Sequence, residues 1–208
     1  MKSKSNKIFF IAGIVGPLFY FFILTILGHL WSGYNPTLQS MSEIGSVGSP
    51  YKDVMNYLGF SLLGVFMTLF SIGLLREFGK GILQYLAFFM VLIAGLFMFM
   101  VGFFPCDVAC IDITQTGKIH SLTSTVPAIT LPLVAMLVTT VLTKKWGKRW
   151  GYFSFWLGVL AMSSGPIMFI PTIAPYLGLV QRMGMGISLL WMAVISIKTI
   201  ISTPPEFK

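Results

Sequence analysis

Six stretches of this chain are apolar almost without a break, and short polar segments separate them. They cover about residues 8–31, 54–75, 82–104, 119–143, 151–171 and 179–201. Each is close to the roughly 20 apolar residues that a helix needs to cross the hydrocarbon core of a bilayer. The runs are continuous rather than alternating, and a membrane β-strand needs only about 10 residues. The pattern therefore predicts an all-α, polytopic membrane protein with six transmembrane helices in a single domain, 1–208. The first run follows the basic leader MKSKSNK. It is longer than the roughly 7–15 apolar residues of a signal peptide, and no small-residue cleavage site follows it, so it reads as a permanent helix. The two halves show no convincing internal match, which removes the main support for an inverted-repeat transporter.

Composition agrees. Apolar residues make up 56% of the 208 positions and charged ones 10%, with a mean hydropathy of +0.86. A soluble domain carries about 25% charged residues, so there is too little charge here to coat a water-facing surface. The net charge of +8 is a matter of placement, not a sign of nucleic-acid binding. Lys2, Lys4 and Lys7, Arg76 and Lys80, Lys144, Lys145, Lys148 and Arg149, and Lys198 and Lys208 all fall on one side of the predicted topology. Only Lys52, Lys118 and Arg182 fall on the other. Cytoplasmic loops are the ones enriched in Lys and Arg, so both termini are expected in the cytoplasm of a cell-membrane protein. Trp146 and Trp150 flank the basic loop as an interfacial belt would. Glu43, Asp53, Asp107 and Asp112 take the opposite side, where His29 and His120 also lie. Candidate chemistry is therefore expected on the outer face.

Four segments carry it. In SMSEIGSVGSP, residues 40–50, Ser42 and Glu43 with Gly45 and Gly48 suit either a nest of backbone N–H groups for an anion or a well-capped surface loop. Ser49 and Pro50 suit the cap and first position of a helix. In the second segment Pro105 ends a helix and Asp107 follows it. Cys106 and Cys110, four apart on the outer side, form either a disulfide or two free thiols, the bridge being favoured. Two cysteines and one histidine fall short of a zinc site, so neither metal nor other cofactor is expected. In the third, His120, Thr123 and Ser124 form a polar strip entering the membrane above Pro127 and Pro132. Such a strip is either helix–helix glue or part of a site. In the fourth, Arg182 opens the last helix. It is placed to neutralise Glu43 or Asp107, or to grip a lipid phosphate.

Gly13 and Pro17, Gly33-Tyr34 with Pro36, Ser42-Glu43 with Gly45, Gly48 and Pro50, Phe104–Asp107, His120 and Gln181-Arg182 come in an order that resembles the DUF998 family of six-helix membrane proteins. The likeness covers essentially the whole chain and implies the same architecture, with no activity attached. More distantly, the S-E-x-G-x-x-G-x-P segment is similar to one in the Frag1/DRAM/Sfk1 membrane proteins, whose roles touch lipid organisation; they usually have Asp where this chain has Glu43.

The function expected from these features is lipid binding or handling. Ser42, Glu43, Asp107, His120, Ser124 and Arg182 would form an outward polar pocket, with a membrane lipid as the partner. The alternative is an intramembrane lipid hydrolase or acyl transferase. There Glu43 or Asp107 would orient His120, and His120 would activate a serine or water. A transporter is a third reading, weakened by the lack of charge near the middle of any helix; a purely structural role is a fourth.

Overall fold

The computed structural model describes residues 2–78 and 81–202, without the side chains of residues 2–5. Lys80, Glu206 and Lys208 therefore lie outside the described residues. Among the described residues seven helices form: α1 (Lys2–Leu30), α2 (Lys52–Glu77), α3 (Ile82–Val101), α4 (Gln115–Leu137), α5 (Thr139–Trp146), α6 (Lys148–Ile167) and α7 (Leu177–Ser202). No strand occurs among the described residues. Short 3₁₀ turns lie at Ser42–Gly45, Val108–Cys110 and Pro171–Tyr176.

Among the described residues five segments are long and apolar enough to cross a membrane: Asn6–Leu30, Lys52–Glu77, Ile82–Val101, Gln115–Leu137 and Pro171–Ser202. Helix α6 also has 20 residues but is not among them, because Gly, Ser, Tyr and Trp dilute its apolar content. The run expected at 119–143 is not one helix. Val138 leaves the helical ψ range, and the chain restarts as α5. The backbone hydrogen bonds nevertheless run on through the bend, from Val138 N–H to the Val134 carbonyl (3.0 Å) and from Leu142 N–H to the Val138 carbonyl (2.9 Å).

The long helices pack in a ring: α1 on α2, α2 on α3, α3 on α4, α4 on α6, α6 on α7, and α7 back on α1. The middle of the ring is filled. Trp191, Phe70, Tyr20, Met67 and Leu63 are all buried there, with the Phe70 ring edge-on to Trp191. Polar threads satisfy the few hydrophilic groups inside. Trp191 Nε1–H donates to Ser154 Oγ (2.7 Å), which donates to the Ala135 carbonyl (2.5 Å). This links α7, α6 and α4.

The outward faces are apolar too. On α3, Leu86, Phe89, Ile93, Leu96 and Met100 are exposed at helical spacing. Large apolar groups left outside while small ones face inward are suited to lipid, where helix association depends on close packing of small residues. Gly64 and Gly95 show this most clearly. A side chain at Gly64 would run into the backbone of Phe99 and Gly95 on the facing helix. The ring closure uses the same device, with Gly13 of α1 lying against Ser196 and Phe70.

Gly64→Val is therefore expected to destabilise the protein by about 1–3 kcal/mol, the usual cost of overpacking. Gly165→Ala, which meets nothing within 4 Å and replaces a helical glycine, should leave the melting temperature in detergent unchanged or slightly raised. Equal melting of both variants would refute close α2–α3 packing as a source of stability.

Candidate functional site

The polar loops gather at one end of the ring. Segment 31–51 lies across it, tied to segment 104–114 on one side and to the start of α7 on the other. Val47 N–H donates to the Cys106 carbonyl (2.9 Å), and Met41 N–H to Gln181 Oε1 (2.7 Å). The result is a plug over the helix ends.

Arg182 holds that plug. Its guanidinium donates to the carbonyls of Pro36 (2.7 Å), Gln39 (2.8 Å) and Gly178 (2.9 Å), and to the Tyr34 hydroxyl. Gly178 and Leu179 add their first-turn N–H groups to the Leu38 and Thr37 carbonyls (3.2 and 3.0 Å). A helix start has free donors and the loop has free acceptors, so each satisfies the other. Gly178 has no side chain to block this; a methyl there would strike Gln39 and Pro36. Tyr34 completes the joint. It donates to the Ser40 carbonyl (2.7 Å) and stacks on Trp31. Burial raises the Tyr34 phenol above its ordinary range, and Arg182 works against that shift. Arg182 makes no ion pair with Glu43 or Asp107 among the described residues.

Glu43 is half-buried and serves the loop's own turn. Its carboxylate accepts from Ser40 N–H (2.8 Å) and Gln39 Nε2 (2.9 Å), while Glu43 N–H points back to Ser40 Oγ (3.3 Å). This is a reciprocal capping box at the Ser42–Gly45 turn, and its S-x-x-E spacing was readable in the sequence. Most loop N–H groups are likewise spent internally: those of Ile44, Ser46 and Ser49 reach carbonyls of Met41, Glu43 and Ser46. Ser46 Oγ donates to the Glu43 carbonyl (2.7 Å). The Ser42 carbonyl lies 3.3 Å from Cys106 Sγ.

Asp107 anchors the start of α4. Its carboxylate accepts from the N–H groups of Thr114 (2.8 Å) and Ile113 (2.9 Å) and from the Thr114 hydroxyl (2.8 Å). Thr114 in turn caps α4 through Gly117 N–H. The Thr114 bonds above all hold the Asp107 carboxyl below its ordinary range. Between these anchors Cys106 and Cys110 are joined in a disulfide. Ala109 and Cys110 adopt left-handed φ of 56° and 51°, costly for residues with a Cβ, so the loop's outside ties hold it there. Ser121 Oγ reaches Asp112 (2.6 Å), and Ser124 Oγ reaches the Ser121 carbonyl (3.2 Å).

His120 is different. It is 2% exposed, and its Nδ1 lies 2.7 Å from the Phe104 carbonyl. A carbonyl only accepts, so Nδ1 carries the proton and Nε2 of the neutral ring is a lone pair. That lone pair has no partner. Asn56, also 2% exposed, gives its amide N–H to the Gly45 carbonyl (2.9 Å), but its Oδ1 has no donor. Both residues flank the buried ring of Phe60. The His120 ring is edge-on to it, and a methyl at Gly45 would touch both Asn56 Oδ1 and Phe60. Asn56 and Phe60 lie in a π-helical turn, Met55–Ser61, a local widening that recurs at functional sites. Sequence reading passed over Asn56, although a lone amide inside an apolar run was a usable signal. Two buried acceptors without donors are the unfinished part of an otherwise satisfied plug.

A family model described as "Protein of unknown function (DUF998)" matches residues 14–198. The chain belongs to the DUF998 family. The match runs from the middle of the first helix into the last turns of α7, so the plug and every residue of the candidate site lie inside the family region. Searches of curated proteins and of solved structures find no match. Among the described residues no group of three His, Cys, Asp or Glu is placed to hold a metal. Among the described residues no hydrogen-bond partner stands on His120 Nε2.

Two outcomes follow. Arg182→Ala should free segment 34–41, read as faster backbone hydrogen exchange there than in the basic loop 144–150. Arg182→Lys should recover only part of the protection, since one ammonium cannot span these acceptors. Asp107→Ala should remove an acid-dependent part of stability. A carboxyl held below its ordinary range stabilises fully above that range, and loses the effect as pH falls through the lower folded value. Wild type should thus lose more melting temperature on acidification than Asp107→Ala; parallel pH curves would overturn the anchor.

Proposed function

We propose that this DUF998 member is a lipid-handling protein of the cell membrane, and that the plugged end receives a lipid head group through hydrogen-bond donors on that head group. The observation that carries this is the pair of buried acceptors beside Phe60, His120 Nε2 and Asn56 Oδ1, neither of which has a donor. A hydroxyl or ammonium group answers two such lone pairs; a phosphate, which only accepts at its ionised oxygens, does not. The direct grip of Arg182 on phosphate is weakened as a reading by its loop contacts. Ser42, Glu43, Asp107 and Ser124 act in this reading by shaping the plug around the acceptors.

The proposal includes a sixth span. Helix α6 is 20 residues long, about 30 Å at 1.5 Å per residue. It fills a place in the ring between α4 and α7 and exposes Tyr152, Trp156 and Leu160. Six spans put both termini on one side. The weight of Lys and Arg at the opposite end from the plug makes that side the cytoplasm. Reporter fusions at the two ends should both read cytoplasmic, and Ser49→Cys should react with an impermeant thiol reagent added outside.

Native mass spectrometry of protein purified in mild detergent tests the site. Wild type should retain a hydroxyl- or amine-bearing lipid that His120→Phe and Asn56→Leu both lose while still melting cooperatively. The same lipid on all three proteins, or none on wild type, would refute the reading.

A further inference from the structure

The opposite end of the ring carries a second, separate feature. Lys148 and Arg149 open α6, and with Trp146, Trp150 and Phe153 they line a cleft of about 640 Å³. Lys198 of α7 reaches the same aromatic wall, its Nζ 5.0 Å from the Trp150 ring centre and 5.8 Å from that of Trp146. Trp146 and Trp150 stand edge-on to each other, and Trp150 edge-on to Phe153. The wall is thus built from interlocked rings.

The charge at this end is not balanced. Glu77 is the one carboxylate described there, and Lys145 takes it at 2.8 Å. Lys148 and Arg149 are exposed and have no ion pair among the described residues. An aromatic face attracts the Lys198 cation without cancelling its charge. Helix α6 adds to the same sign. It starts at Gly147, with φ of 93°, and no side chain caps it. Its first N–H donors and the positive end of its dipole thus lie beside the two cations. The cleft also has an apolar exit. Val194 lines it, and Ile197 and Ile201 continue along exposed α7.

We propose that this cleft binds the phosphate of an anionic phospholipid, with the acyl chains lying along α6 and α7. Three cations and an uncapped helix start supply the phosphate contacts. The tryptophans sit at head-group level, where amphipathic rings are favoured, and the exposed isoleucines face the chains. Free phosphate would use the cations but gain nothing from the apolar exit, which is why a lipid is the occupant. The site is remote from His120 and does not rest on the function proposed for the plug.

The test is native mass spectrometry of the full-length protein in mild detergent. Phosphatidylglycerol and phosphatidylcholine of the same chain length are supplied together, with and without inorganic phosphate. Wild type should bind phosphatidylglycerol at least about fivefold better, and each of Lys148→Gln, Arg149→Gln and Lys198→Gln should weaken it roughly fivefold. Lys52→Gln/Lys118→Gln, which removes charge at the plugged end, should change nothing. Millimolar inorganic phosphate should not displace the lipid. Equal binding of the two lipids would overturn the proposal. So would an equal loss in the Lys52/Lys118 variant, which would mean net charge only, or full displacement by inorganic phosphate, which would mean a free-anion site. Lys148 and Arg149 are exposed, so their variants should fold; one that does not melt cooperatively is replaced by the Lys or Arg exchange, which should retain binding.

Discussion

A guanidinium that spends its charge on carbonyls holds this structure closed. Arg182 sits where the last helix meets the first, at the seam that turns a row of helices into a ring. The loop leaving α1 must cross that seam, and it brings the carbonyls of Pro36 and Gln39 with no secondary structure to satisfy them. At the edge of a membrane an unpaired carbonyl is costly. A planar cation with five donors answers several at once, while the start of α7 supplies N–H groups for Thr37 and Leu38. A carboxylate partner would have drawn the guanidinium off the loop. Its absence from this contact is part of why the plug stays seated.

With the seam closed, the rest of the plug follows. Glu43 turns inward on its own loop, Asp107 ties down the start of α4, and the strained Cys106–Cys110 segment is held between them. Glu43, Asp107 and Arg182 thus each hold a part of the plug in place. What remains is a smaller and sharper feature, two lone pairs beside Phe60. Buried acceptors without donors are uncommon, because burial removes the water that would otherwise serve them. Asn56 sits in the π-helical turn Met55–Ser61 and is 2% exposed.

The two ends of the ring differ in how they manage charge. At the plugged end almost every donor and acceptor is matched within the protein. At the basic end, cations outnumber carboxylates and lean on tryptophan and phenylalanine rings, which hold a cation in place but leave its field intact. At one end the buried side-chain polar atoms are partnered apart from two acceptors, and at the other Lys148 and Arg149 are exposed with no ion pair among the described residues.

Much of this was determined by the sequence alone. Apolar runs near 20 residues in a chain with 10% charge leave helices as the only open-ended structure that satisfies its own backbone in lipid. Punctuation by Pro and Gly and the sorting of Lys and Arg made the all-helical class, the polar end and the basic end legible. Family membership was readable for the same reason, since the short motifs mark turns and helix starts. Three things needed the tertiary structure. Val138 interrupts the expected fourth helix, at a point that spacing alone does not mark. Arg182 chose carbonyls over Glu43 and Asp107, which depends on how closely Gly178 lets the loop approach. His120 and Asn56, 64 positions apart in the chain, became neighbours of one ring only because α2 and α4 both pack on α3. Local pattern reports how each segment meets lipid or water; which polar atoms are left without partners is a property of the assembled whole.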